Sequence, residues 1–86
     1  MPTFSEDPDV DILITDNLLK VLVDLRGRNI KTENLLVKAD NQGIYLFDKE
    51  NNNVIKVIKL PSQVDPNSVS FSENFGTYII TLKKSL

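Results

Sequence analysis

Along most of the chain, apolar and polar residues alternate with a period of two. This is the spacing of strands that bury one face and wet the other. Val10, Ile12 and Ile14 alternate with Asp9, Asp11 and Leu13, while Leu19, Val21, Val23 and Leu25 alternate with Lys20, Leu22 and Asp24. Asp16-Asn17 lies between these runs and tolerates left-handed backbone, so the pair reads as a hairpin. Arg26-Gly27-Arg28-Asn29 breaks the second run, with Gly27 free to take positive φ. Ile30 to Glu33 is then a short connector with room for one helical turn.

A third strand starts with Leu35, Val37 and Ala39, and Asp40-Asn41-Gln42-Gly43 turns it into a fourth built on Ile44 and Leu46, with Phe47 at its end. Asp48 to Asn53 is polar throughout and reads as a loop. Val54 to Leu60 is β-branched and strand-like, and Pro61 closes it because proline cannot donate to a ladder. Val64-Asp65-Pro66-Asn67 is another turn. Val69 and Phe71 alternate with serines in a short sixth strand, and Tyr78, Ile80 and Leu82 share one face of the last, Thr77 to Lys83. Short strands with turns between them and no helix of any length predict an all-β antiparallel sandwich, with a small barrel as the competing architecture. The faces opposite this core also carry apolar residues: Leu13, Leu22, Leu36, Tyr45, Phe47, Ile55, Val57 and Ile79. Gathered together, these would form a contact patch; a wrong assignment of faces, or loops lying over them, is the alternative.

Composition narrows the picture. The 86 residues make one domain, near the size where a single core is only just sufficient. Apolar residues are 41% and charged residues 26%, which fits a globular chain and not a disordered one. No apolar run approaches the ~20 residues of a membrane span. Met1 to Asp7 has neither the basic start nor the apolar stretch of a signal peptide. Without cysteine there is no disulfide framework, so packing alone must hold the fold, and the reducing cytoplasm is the expected compartment. A net charge of −2 speaks against a nucleic-acid or anionic-membrane surface, and Lys83-Lys84 reads as a solvated chain end.

Candidate chemistry is sparse. With no His and no Cys, the usual general base, the thiol nucleophile and most transition-metal ligands are missing, and nothing places two acids in a cleft. No enzyme activity, cofactor or metal is expected. Asp7, Asp9 and Asp11 have the opening spacing of a calcium loop, but Ile12 and Leu18 stand where that loop needs Gly and Glu. Gly27, Gly43 and Gly76 lie too far apart to cradle a phosphate. Lys56 and Lys59 interleave with Val57 and Ile58 without an aromatic stripe, which makes a weak oligonucleotide surface.

The most specific stretch is Leu60-Pro61-Ser62-Gln63-Val64-Asp65-Pro66-Asn67-Ser68-Val69, followed by Gly76 and the alternating Tyr78, Ile80 and Leu82. It resembles the "L-P-x-x-V-D-P-x-x-V" and "N-G-V-L-x-I-x-L" signatures of the small heat-shock protein family. Asp24-Leu25-Arg26-Gly27 resembles the family's "D-L-P-G", and Pro8-Asp9-Val10-Asp11-Ile12 resembles its opening segment. Leu35-Leu36-Val37-Lys38-Ala39 with Ile44-Tyr45-Leu46 fits its central strands. The resemblance covers residues 8 to 84, with 1–7 as a short extension and 85–86 as the end. It implies an α-crystallin (Hsp20-like) domain, an immunoglobulin-like sandwich of seven to eight strands. Phe71 stands where the family has Ala, Phe75 where it has Asn, and Arg26 where it has Pro. The stretch Asp48 to Asn53 is much shorter than the segment many members exchange between subunits, which argues against a strand-swapped dimer and leaves other homodimers open. Almost no arm precedes the domain, and no I-x-I/V tail follows it.

The resemblance also implies a protein-binding groove between the third strand and the strand before the last, edged by Leu35, Leu36, Val37, Val69 and Phe71. An edge strand offers unpaired N–H and C=O groups, and apolar neighbours supply specificity. Two functions are expected from it. One is an ATP-independent holdase of the stress response that captures exposed apolar segments of non-native client proteins. The other is an adaptor of the p23/CS kind that docks on one folded partner.

Overall fold

The computed structural model describes residues 9–28 and 30–85. Asn29 of the expected second turn, the expected extension at 1–7, Pro8 and Leu86 lie outside the described residues. Among the described residues, seven strands form two antiparallel sheets, with two single 3-10 turns between them. The strands are β1 (Val10–Ile14), β2 (Leu18–Asp24), β3 (Leu35–Ala39), β4 (Gly43–Asp48), β5 (Asn53–Lys59), β6 (Ser70–Asn74) and β7 (Thr77–Lys83). Sheet A runs β1-β2-β7-β6 and sheet B runs β3-β4-β5. This is a sandwich and not a barrel, because β3 and β6 remain edges instead of pairing with each other. No helix among the described residues is long and apolar enough to cross a membrane.

Register explains which residues fill the interior. Val21 pairs with Ile80 and Val23 with Tyr78 across β2 and β7, so the alternate residues of both strands face sheet B together. Leu19, Val21, Val23, Ile80 and Leu82 meet Ile44, Leu46 and Ile58 from the other sheet, and all are buried. At the end where both sheets close, Leu60 and Val64 are buried on either side of Pro61. The Val64–Lys84 bridge ties this crossing segment to sheet A. The Asp65 carboxylate accepts from the Asn67 N–H at 3.0 Å and caps the 3-10 turn Pro66–Ser68. Val69 ends that turn, so β6 begins one residue later than the alternation alone suggests.

The connectors follow from short polar side chains. Asp48 is buried, and its two oxygens accept from the Glu50 N–H and the Asn51 Nδ2, which closes the tight β4–β5 turn. The short connector after the second turn becomes a single 3-10 turn at Thr32–Asn34. Between Leu46 and Phe47 the β4–β5 register shifts: Leu46 faces Lys56 while Phe47 faces Val54, leaving Ile55 as the extra residue of a bulge. Ile55 was expected on the outer face. The bulge rotates it, and it packs against the core instead.

The β6–β7 turn is unusual. Phe75 has φ 54° and Gly76 φ 86°, positive at both central residues as in a type I′ hairpin turn. A glycine is needed at position 76, because a Cβ there would fall 2.5 Å from the Arg26 Cγ. A bulky aromatic at position 75 is disfavoured by roughly 1–2 kcal/mol relative to glycine.

Candidate protein-binding groove

The two strands expected to border the groove are both sheet edges. β3 is the edge of sheet B and β6 the edge of sheet A. The 3-10 turn Pro66–Ser68 packs against both β3 and β7, and so bridges the two sheets just before β6. A hydrogen bond of 2.9 Å between the Thr32 and Tyr78 hydroxyls joins the two sheets near the start of β3.

Alternation assigns each side chain to a wall. Leu35 pairs with Asp48 and Val37 with Leu46, so both point inward; Leu35 is buried and Val37 half-buried. On the facing sheet, Phe71 pairs with the buried Ile80, which turns its ring to the inner face as well. No strand lies beyond β6, so the ring stays 43% exposed. It leans on the buried Tyr78 with ring centroids 6.2 Å apart. Val69, half-buried against the core, stands just before it. Leu35, Val37 and Phe71 thus share the inner faces of the two edge strands, and Val69 packs against the core between the Pro66–Ser68 turn and β6.

Leu36 is not part of this set. It pairs with Phe47 on the outer face of sheet B and is 37% exposed there. The same parity that brings Leu35 and Val37 inward sends Leu36 out. On that outer face Leu36, Phe47 and Val54 form one cross-strand row, with Tyr45 and Val57 in the next. Val57 is 65% exposed, and the Lys38 ammonium lies 5.6 Å from the Phe47 ring centre. The Tyr45 hydroxyl donates to the Asp40 carboxylate at 2.6 Å, which lowers the Asp40 pKa and raises that of Tyr45. Of the residues expected to stand opposite the core, Leu13 also proves exposed, and Leu22 and Ile79 are half-buried on the outer face of sheet A.

Ionisable groups lie elsewhere. Asp24 accepts two hydrogen bonds from the Arg26 guanidinium, at 2.9 and 2.7 Å, and a third from the Arg26 N–H. These bonds hold its pKa down to about 2. Asp9, from the failed calcium spacing, lies 3.7 Å from the Lys56 ammonium, and the described residues contain no cluster of potential metal ligands.

Solved structures share this architecture. Heat shock protein 16.0 from Schizosaccharomyces pombe superposes with a TM-score of 0.68 at 19% identity, over 88% of this chain and 65% of that one. The fold is Hsp20-like. A nuclear movement protein from E. cuniculi superposes with a TM-score of 0.65 at 12% identity, over 90% of this chain and 86% of that one. The chain therefore spans less than two thirds of the heat shock protein, and identities this low speak for the fold alone. No family model matches the sequence. No curated protein sequence matches it either.

Proposed function

We propose that this domain binds extended apolar segments of non-native proteins along the β3–β6 opening, as an ATP-independent holdase. The observation that carries the reading is Phe71, an aromatic on the inner face of an edge strand whose five residues are all exposed. An incoming strand can pair with the free edge while its side chains enter the apolar cleft beside Val37 and Val69. The likeness to a heat shock protein fits this use.

The outer face of sheet B favours a second reading. Leu36, Phe47, Val54 and Val57 lie on one apolar face that spans all three strands of sheet B. A face of side chains across three paired strands suits a folded partner better than an extended segment, and the likeness to a nuclear movement protein fits an adaptor.

Aggregation assays decide between them. The holdase reading predicts that the full chain suppresses light scattering of a heated model client, and that Phe71→Asp removes the suppression. No suppression at several-fold molar excess overturns it. The adaptor reading predicts a stoichiometric complex with one folded partner that Val57→Asp disrupts. Light scattering of the chain at several concentrations adds whether either activity belongs to a monomer, a homodimer or a larger assembly.

A further inference from the structure

We infer that Thr32 and Tyr78 are positioning residues for client binding between β3 and β6: their hydroxyl bond latches the two edges at the spacing an incoming strand needs, an inference that rests on the holdase reading above. β3 and β6 belong to different sheets, and no ladder joins them. Their separation is therefore set by what passes from sheet to sheet at each end. Beyond the end of β3, beside the Pro66–Ser68 turn, the Asn41 carbonyl accepts from the Val64 N–H at 3.0 Å, and Val64 bridges to Lys84 just after β7. Backbone bonds fix that end. Before the start of β3, the Oγ1 of Thr32 lies 2.9 Å from the Tyr78 hydroxyl, near the start of β7. The connector from β2 also crosses here, but residues 25–34 would span about 30 Å if extended and set no spacing by themselves. A side-chain bond holds this end, so substitution can release it.

Tyr78 also carries the ring that a client would meet, because Phe71 leans on it at a centroid distance of 6.2 Å. One bond thus ties the aromatic surface of sheet A to the residues that lead into β3. Geometry set before a client arrives need not be ordered on binding. The two hydroxyls are unequal. Thr32 is exposed, so water replaces its partner if the bond is lost. Tyr78 is buried, and without Thr32 its hydroxyl has no partner among the described residues. That asymmetry separates positioning from plain stability.

The test compares three variants of the full chain: Thr32→Val, Thr32→Val combined with Tyr78→Phe, and Thr32→Ser. Thr32→Val should lower Tm by about 4–8 °C, because it orphans a buried hydroxyl, and adding Tyr78→Phe should restore most of that loss. Client protection should not follow Tm. Both valine variants should need roughly three- to tenfold more chain to halve the light scattering of reduced insulin B chain. Thr32→Ser keeps a hydroxyl and should protect as the unsubstituted chain does. A second readout needs no client. The sequence has no cysteine, so spin labels at Lys38→Cys and Ser72→Cys, exposed positions on β3 and β6, report the edge spacing. Their distance distribution should broaden in both valine variants and stay narrow with Thr32→Ser. An unchanged distribution, or protection restored together with Tm in the double variant, would overturn the latch. If the unsubstituted chain gave no protection at several-fold molar excess, the holdase reading would fall, and the label distances would still decide whether the bond spaces the edges.

Discussion

The two flanks of this sandwich are finished in opposite ways. Along β1 and β5, the Lys56 side chain points inward, is nearly buried, and reaches Asp9 at 3.7 Å across the gap between sheets. The bulge beside it turns Ile55 into the core. Charge and packing cover part of that flank, although Ile14, paired with the buried Leu19, stays 51% exposed farther along β1. Along β3 and β6, a 3-10 turn and the Thr32–Tyr78 bond fasten the two ends, while every residue of β6 stays exposed and Phe71 shows nearly half its surface. Edge strands are usually guarded by charge or covered. An aromatic left on an open edge costs solubility, and the binding proposed above is the use it would serve.

The largest expected effect separates core from groove. Leu46→Ala and Ile80→Ala, each fully buried, should lower unfolding free energy by about 2–5 kcal/mol in urea titrations. Phe71→Ala should cost about 1 kcal/mol, since its ring is already partly solvated, yet it should abolish client protection. If Phe71→Ala destabilised the fold as much as Leu46→Ala, the ring would belong to the core and the contrast between flanks would collapse. Next in size is the closed flank, where Lys56→Ala should cost about 1 kcal/mol through lost packing of its buried stem, while leaving client protection unchanged.

The smallest effect is acid sensitivity near Asp24. Its pKa in the fold, about 2, lies below that of the unfolded chain, so its contribution to stability is present above about pH 4. That contribution drains away as pH falls toward 2. Asp24→Asn should flatten the pH dependence of Tm in that window without touching either flank. An unchanged profile would show that the Arg26 pairing adds nothing measurable to folding.

Much of the fold was legible from alternation, because strands buried on one face must repeat every two residues. β2 and β7, whose inward residues are all apolar, were plain for that reason. The proline-containing motif turned out to carry architecture: Leu60 and Val64 are buried in the core, and Asp65 caps a turn. Of the groove set, Leu35, Val37 and Phe71 lie on the inner faces of the two edge strands, and Val69 packs against the core. Leu36 was grouped with them by the family resemblance, although strand parity already sends it to the other face. Ile55 could not be placed because a bulge has no signature in a β-branched run. Phe75 was noted as a departure from the family pattern. Its exposure and its positive φ depend on the turn type, which only the β6–β7 register reveals.

Amide hydrogen exchange on the full chain, with and without reduced, aggregating insulin B chain as client, tests the contrast between flanks most directly. Slowed exchange in β3 (Leu35–Ala39) and β6 (Ser70–Asn74), with β5 (Asn53–Lys59) unchanged, is the predicted result. Protection of β5 with β3 and β6 unaffected would contradict it.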